Sequence, residues 1–203
     1  MRYSLTLMAL LALVLGCSEA GGPSLTRAEK ALIEGSGPVM RVLTIADKDD
    51  SLFLREQSRD FSDKDLKSNN FQTLATKMVT TVTDPSEDGV GIAGPQVGVA
   101  RRIVAVQRFD KEGDPFEVYP NIRIESLGGE VVSGQEGCLS VPGLRGSVPR
   151  HTWIVVSWKD PSTLQTVRDT VEGFTAVIFQ HETDHLDGIL YTDKADSLYT
   201  YSY

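Results

Sequence analysis

Phe174-Thr175-Ala176-Val177-Ile178-Phe179-Gln180-His181-Glu182-Thr183-Asp184-His185-Leu186 carries the strongest pattern in this chain. Phe174, Val177, Ile178, His181 and His185 step by three and four, the period of one helix face. The spacing predicts a helix from about Glu172 to Leu186, halted by Asp187-Gly188, with both histidines on its inward, apolar side. Side chains four apart on a helix lie about 6 Å apart along the axis, so two imidazoles can converge on one ion. His181-Glu182-Thr183-Asp184-His185 is therefore an HExxH arrangement: two metal ligands, with a carboxylate beside the first that can take a proton from water. With three histidines in 203 residues, about 0.003 such matches are expected by chance. The plain alternative is a pair of hydrogen-bonded core histidines.

Outward from this helix the chain reads as strands. Arg102–Arg108, Phe116–Ile124, Gly129–Ser133, Thr152–Trp158 and Thr166–Val171 are rich in β-branched and aromatic residues. Val39–Ile45 is also β-like. Ser62 or Asp63 can cap an earlier helix reaching about Val82, with Leu66, Phe71, Leu74, Ala75, Met78 and Val82 at helical spacing. Strands in succession, bracketed by two helices, predict an α+β domain without alternating βαβ units.

Composition narrows the function. Forty per cent hydrophobic and 24% charged residues are ordinary globular values, and a net charge of −8 argues against a nucleic-acid partner held by phosphate neutralisation. Two cysteines do not make a disulfide framework. The N-terminus reads separately. Arg2 is followed by an apolar run, Leu5–Leu15, too short to span a bilayer, and then by Gly16-Cys17. Val14-Leu15-Gly16-Cys17 resembles a bacterial lipobox, whose cysteine is acylated. The expected organisation is a lipoprotein signal over 1–16, a flexible tether over 17–38 and a catalytic domain over 39–203. Within the tether only Leu25–Glu34 has helical character. Export and membrane attachment through Cys17 is one expected location, and the cytoplasm is the alternative.

HExxH leaves a third ligand to find, since a catalytic zinc-type site takes three protein ligands and a water. A carboxylate, His151 and Cys138 are the candidates. Cys138 lies in the turn-rich Glu136-Gly137-Cys138-Leu139-Ser140. A further feature is Gly89-Val90-Gly91-Ile92-Ala93-Gly94-Pro95-Gln96, where glycines let backbone approach a ligand closely. It matches neither a Walker nor a dinucleotide pattern.

Together these segments resemble the peptide deformylase family. Gly89–Gln96, Glu136–Ser140 and Gln180–His185 are similar to its three signatures, in order and approximate spacing, and the resemblance covers roughly Val39 to Asp193. It implies antiparallel sheets around the HExxH helix, Cys138, His181 and His185 as metal ligands, and Glu182 as general base and acid. It also implies Fe²⁺, with zinc, nickel or cobalt able to replace it, and an N-formylmethionyl peptide substrate cleaved to formate and a free amine. The Gln96 side-chain amide and the Leu139 backbone N–H would hold the oxyanion. Gly91 would bond the peptide backbone, while Val90, Val177, Ile178 and the aliphatic part of Arg145 would line a methionine pocket. Asp184 would pair with Arg150 or Arg145. Two departures stand out. Gly94 replaces a usual alanine, and the short, non-basic stretch from Leu190 to Tyr203 does not suit ribosome docking. The rival functions are an HExxH metallopeptidase, a cysteine hydrolase using Cys138, and an anchored non-ribosomal peptide-binding protein. Formate release, metal dependence and turnover separate them.

Overall fold

The computed structural model describes residues 22–87 and 89–200, so the signal and lipobox expected over 1–17 lie outside the described residues. Element order is α1 (Arg27–Glu34), α2 (Lys48–Phe53), α3 (Asp63–Leu66), α4 (Asn69–Val82), β1 (Gly91–Ala93), β2 (Ile103–Gln107), β3 (Phe116–Pro120), β4 (Arg123–Cys138), β5 (Val141–Lys159), β6 (Thr166–Glu172), α5 (Gly173–Leu186) and β7 (Ser197–Thr200). The fold is α+β. One antiparallel sheet runs β1-β2-β3; a second runs β4-β5-β6, with β7 added along β5.

Strand alternation in β2 sorts the core. Ile103 and Ala105 join Phe71, Leu74 and Met78 in one cluster, while Val104 and Val106 join Ile178 and Phe179 in another. The first sheet thus carries α4 on one face and α5 on the other. Ile154, Val156 and Val171 of the second sheet close over α5 from its far side. From Thr175 to Leu186, only Val177 and Asp184 of α5 escape full burial. A helix enclosed between two sheets has almost no solvent-facing side, so even its polar residues Gln180, His181, Glu182, Thr183 and His185 are buried.

Several expectations change. The tether over 17–38 does not describe what is built from residue 23 onward. Thr26 and Glu29 form a capping box at the start of α1, and Leu25 and Ile33 are buried in the α4 cluster. Val39–Ile45 joins no sheet: Leu43 N–H donates to Gln96 O at 2.8 Å and Ile45 N–H to Ser140 O at 2.9 Å. The helix expected over 62–82 is broken, with Ser62 capping α3 and Ser68 capping α4. Helix α2, opened by the Asp47 side chain, had no clear apolar period to announce it. Phe174 is 57% exposed and packs at a tilt against Phe109, so it leaves the inward face proposed for it.

Candidate metal centre and active site

Three elements meet at one point. Helix α5 brings His181 and His185 one turn apart, and β4 ends at Cys138, paired with Val141 across the two-residue link Leu139-Ser140. A sulfur and two ring nitrogens from these residues lie within 4.8 Å of one another, the one such group of potential ligands among the described residues. Cys138 Sγ is 3.2 Å from His185 Nε2. The structure therefore brings Cys138 to the histidines, and not His151. His151 instead lines a separate cavity, with its Nδ1 buried and unpartnered.

The donor set fits a divalent ion. Cysteine sulfur and imidazole nitrogen are ligands of borderline metals, and Nδ1 of His181 is tied to Glu136 Oε2 at 2.7 Å, which leaves Nε2 for coordination. Burial and neighbouring positive charge hold His185 well below its ordinary pKa, so it is a neutral donor. His181 is driven the other way. Burial opposes its charge, but the Cys138 sulfur and Glu136 outweigh that, so the local field favours a cation.

Glu136 was missed as a functional residue, although a signal was present. Glu136 stands two residues before Cys138 at the end of β4, the spacing that strand alternation assigns to one face, although the register shifts between them. Arg150 forks onto Glu136 at 2.7 and 3.0 Å and reaches Asp184 at 2.7 Å, which also receives Lys194 at 2.6 Å. Burial works against the Glu136 charge, yet Arg150 and His181 hold its carboxyl down to about 2. It thus stays anionic and fixes the imidazole. Gln180, also unassigned from sequence, clasps the His151 backbone at both N–H and C=O and ties α5 to β5.

Glu182 is buried, and its Oε2 has no hydrogen-bond partner. Burial pushes its carboxyl up to about 7. Gly91 stands directly against it, since a Cβ there would lie 2.5 Å from Glu182 Oε1 and 2.8 Å from Ile178 Cγ2. The Gly89–Gln96 stretch is thus strand β1 followed by a 3₁₀ turn over Gly94–Val97. Gln96 Oε1 accepts from Ala93 N–H at 2.8 Å, which turns Nε2 toward Cys138 Sγ at 3.5 Å and Ser140 Oγ at 3.2 Å. The amide is aimed at the centre.

The cavity that His151 lines, of about 220 Å³, is lined also by Val132, Gly134, Val148, Arg150, Thr152, Gly173 and Val177. Of the four side chains expected to form a methionine pocket, only Val177 lines it. Val90 and Ile178 pack in the core around α5, and Arg145 lies over Gly137 next to Cys138. Leu139 is half-buried, and its methyl would be 3.2 Å from a Cβ at Gly89.

A family model described as polypeptide deformylase matches residues 39–200. The peptide deformylase of Leptospira biflexa is 36% identical over 157 residues, 74% of this chain and 86% of that protein. The class I type b peptide deformylase of Acinetobacter baumannii, solved with actinonin bound, superposes with a TM-score of 0.67 at 33% identity, covering 78% of this chain and 99% of that one. The same enzyme with Met-Ala-Ser bound gives a TM-score of 0.67 at 34% identity, covering 77% and 99%. With its match spanning the glycine strand, the Cys138 hairpin and the HExxH helix, the chain belongs to the polypeptide deformylase family.

Proposed function

We infer that the protein is a metal-dependent hydrolase that removes the formyl group from N-formylmethionyl peptides, giving formate and a free methionyl amine. The convergence of Cys138, His181 and His185 beside an unpartnered Glu182 carries this reading. Those three side chains would hold the ion, with Fe²⁺ the best candidate and zinc, nickel or cobalt accepted by the same donors. When bound, a divalent ion supplies Lewis acidity, lowering the pKa of water and polarising the carbonyl.

The chain's own groups supply the rest. Glu182, its carboxyl raised to about 7 by burial, can take a proton from water and return it to the departing nitrogen near neutral pH. Gln96 Nε2 and the Leu139 N–H are the donors for the developing oxyanion, and Gln96 is preoriented by its bond from Ala93. Glu136 and Arg150 keep His181 in one orientation. The cavity lined by Val177 is the room for an unbranched side chain. Gly91 offers its main chain to the peptide. The test is anaerobic purification followed by metal analysis and formate release on one sample. One ion per chain, activity lost to chelator and restored by Fe²⁺ or Ni²⁺, is the expected result; activity indifferent to chelator excludes it.

Cys17 is the proposed anchor. The Leu5–Leu15 run ending in Gly16-Cys17 supports export and acylation. Because the chain is fastened to the domain from Pro23 onward, no more than about 17 Å of extended chain separates Cys17 from Gly22. An acylated protein would lie close against the membrane. Palmitate labelling of wild type and Cys17→Ser, with membrane fractionation, tests this. A soluble, unlabelled wild type returns the enzyme to the cytoplasm.

A further inference from the structure

We propose that residues 23–34, through Arg101, form a clamp that positions the turn carrying Gln96; this rests on the oxyanion role given to Gln96 above. The segment lies upstream of the family-matched region, which begins at residue 39. It is nonetheless built into the molecule around one charge. The Arg101 side chain is 0% exposed, and its guanidinium is enclosed by acceptors: Glu29 Oε1 at 2.6 Å and Oε2 at 2.9 Å, Ser24 O and Asp60 O at 3.0 Å, and Pro23 O. Four of those five acceptor atoms would not exist without the N-terminal segment. A buried guanidinium without its partners is strongly unfavourable, so Arg101 and the segment require each other.

The Arg101 backbone is also the floor of the Gln96 turn. Arg101 N–H donates to Val99 O at 2.7 Å, and Val99 N–H donates to Gly94 O at 3.0 Å. A Cβ on Gly94 would lie 2.7 Å from Arg101 O and 2.8 Å from Val99 O. This close approach accounts for glycine at 94, where the family resemblance leads one to expect alanine. A second contact comes from α1 itself: Leu32 Cδ2 lies 3.0 Å from the Cβ position of Gly98, the residue that closes the turn. The path from Glu29 thus runs by direct contact through Arg101 and Val99 to Gly94, and along the backbone from Gly94 to Gln96. Arg101 and Glu29 act as positioning residues and touch no substrate.

The experiment is a double-mutant cycle on the full chain. kcat, KM and metal content are measured with formyl-Met-Ala-Ser for wild type, Glu29→Gln, Gln96→Ala and the double variant. Glutamine retains the capping box at α1 while removing the charge that faces Arg101. The clamp predicts a fall in kcat of about tenfold for Glu29→Gln, within the range known for misplaced catalytic groups, with KM and metal content unchanged. In the Gln96→Ala background the same substitution should cost nothing further. Leu32→Ala, at a side chain 44% exposed, folds regardless and should lower kcat in the same direction through Gly98. Thermal destabilisation with kcat unchanged in both variants overturns the proposal. So does a loss that multiplies in the double variant. If Gln96→Ala itself keeps full kcat, the oxyanion reading has failed, and any slowing by the clamp variants then runs through another residue, which also overturns the coupling.

Discussion

Gln96→Ala removes one preorganised donor, and such losses lower turnover by about 10²–10³-fold. Metal content should stay at the wild-type level, because the amide reaches the Cys138 sulfur only at 3.5 Å; an ion-free variant would make Gln96 part of the metal site instead. Glu136→Gln should act in the opposite way. Replacing the charged partner of His181 weakens the ion's hold by about 10–100-fold, measured by competition with a chelator of known affinity. Unchanged affinity would reduce Glu136 to a structural ion-pair partner of Arg150. At this scale the sequence was informative where chemistry is local. HExxH spacing located His181, Glu182 and His185 because helix geometry alone sets their separation. The same stretch could not reveal that Glu136 and Arg150 stand behind His181, since that contact joins residues 45 positions apart. Nor could it show why Gly91 is bare, which depends on where Glu182 arrives from the other end of the chain.

Helix α1 makes the contrast at the scale of elements. Its eight residues were legible as weakly helical, but nothing local separates a docked helix from a tether with helical character. What decides it is the buried acceptor cage on Arg101, supplied partly by the backbone. Ile33 is fully buried, so Ile33→Ala should destabilise by about 2–5 kcal/mol and lower the melting temperature; wild-type melting would leave the segment undocked. The Glu29–Arg101 pair adds a pH dependence. Burial opposes the Glu29 charge, but hydrogen bonds from Arg101 and Thr26 hold its carboxyl below the ordinary range. A depressed acid contributes stability above its unfolded pKa and loses it as pH falls through the folded one. The melting difference between wild type and Glu29→Gln should therefore be full at pH 7 and shrink below about pH 4. A difference that grows in acid would contradict the pairing. The break between α3 and α4 follows the same lesson: a continuous apolar period runs through Ser68, whose hydroxyl caps a new helix instead of continuing the old one.

As a whole the molecule is a helix held between two antiparallel sheets, which is how two imidazoles come to be buried without being isolated from chemistry. The class was readable from strands in succession, bracketed by two helices. The strand register was not, because β4 and β5 extend far beyond the runs that alternate and continue through the bulges near Gly128 and Glu136. Membrane attachment through Cys17 is a proposal, and labelling tests it independently of catalysis. The central claim is hydrolysis of the formyl amide by a Cys-His-His metal centre. The most direct measurement is product analysis on formyl-Met-Ala-Ser with metal-loaded protein, scoring formate, free N-terminal amine and internal cleavage together. Equimolar formate and Met-Ala-Ser, with no internal cleavage and no turnover by Glu182→Ala, is the predicted result. Cleavage between Met and Ala with the formyl group retained would contradict it and make the protein a peptidase.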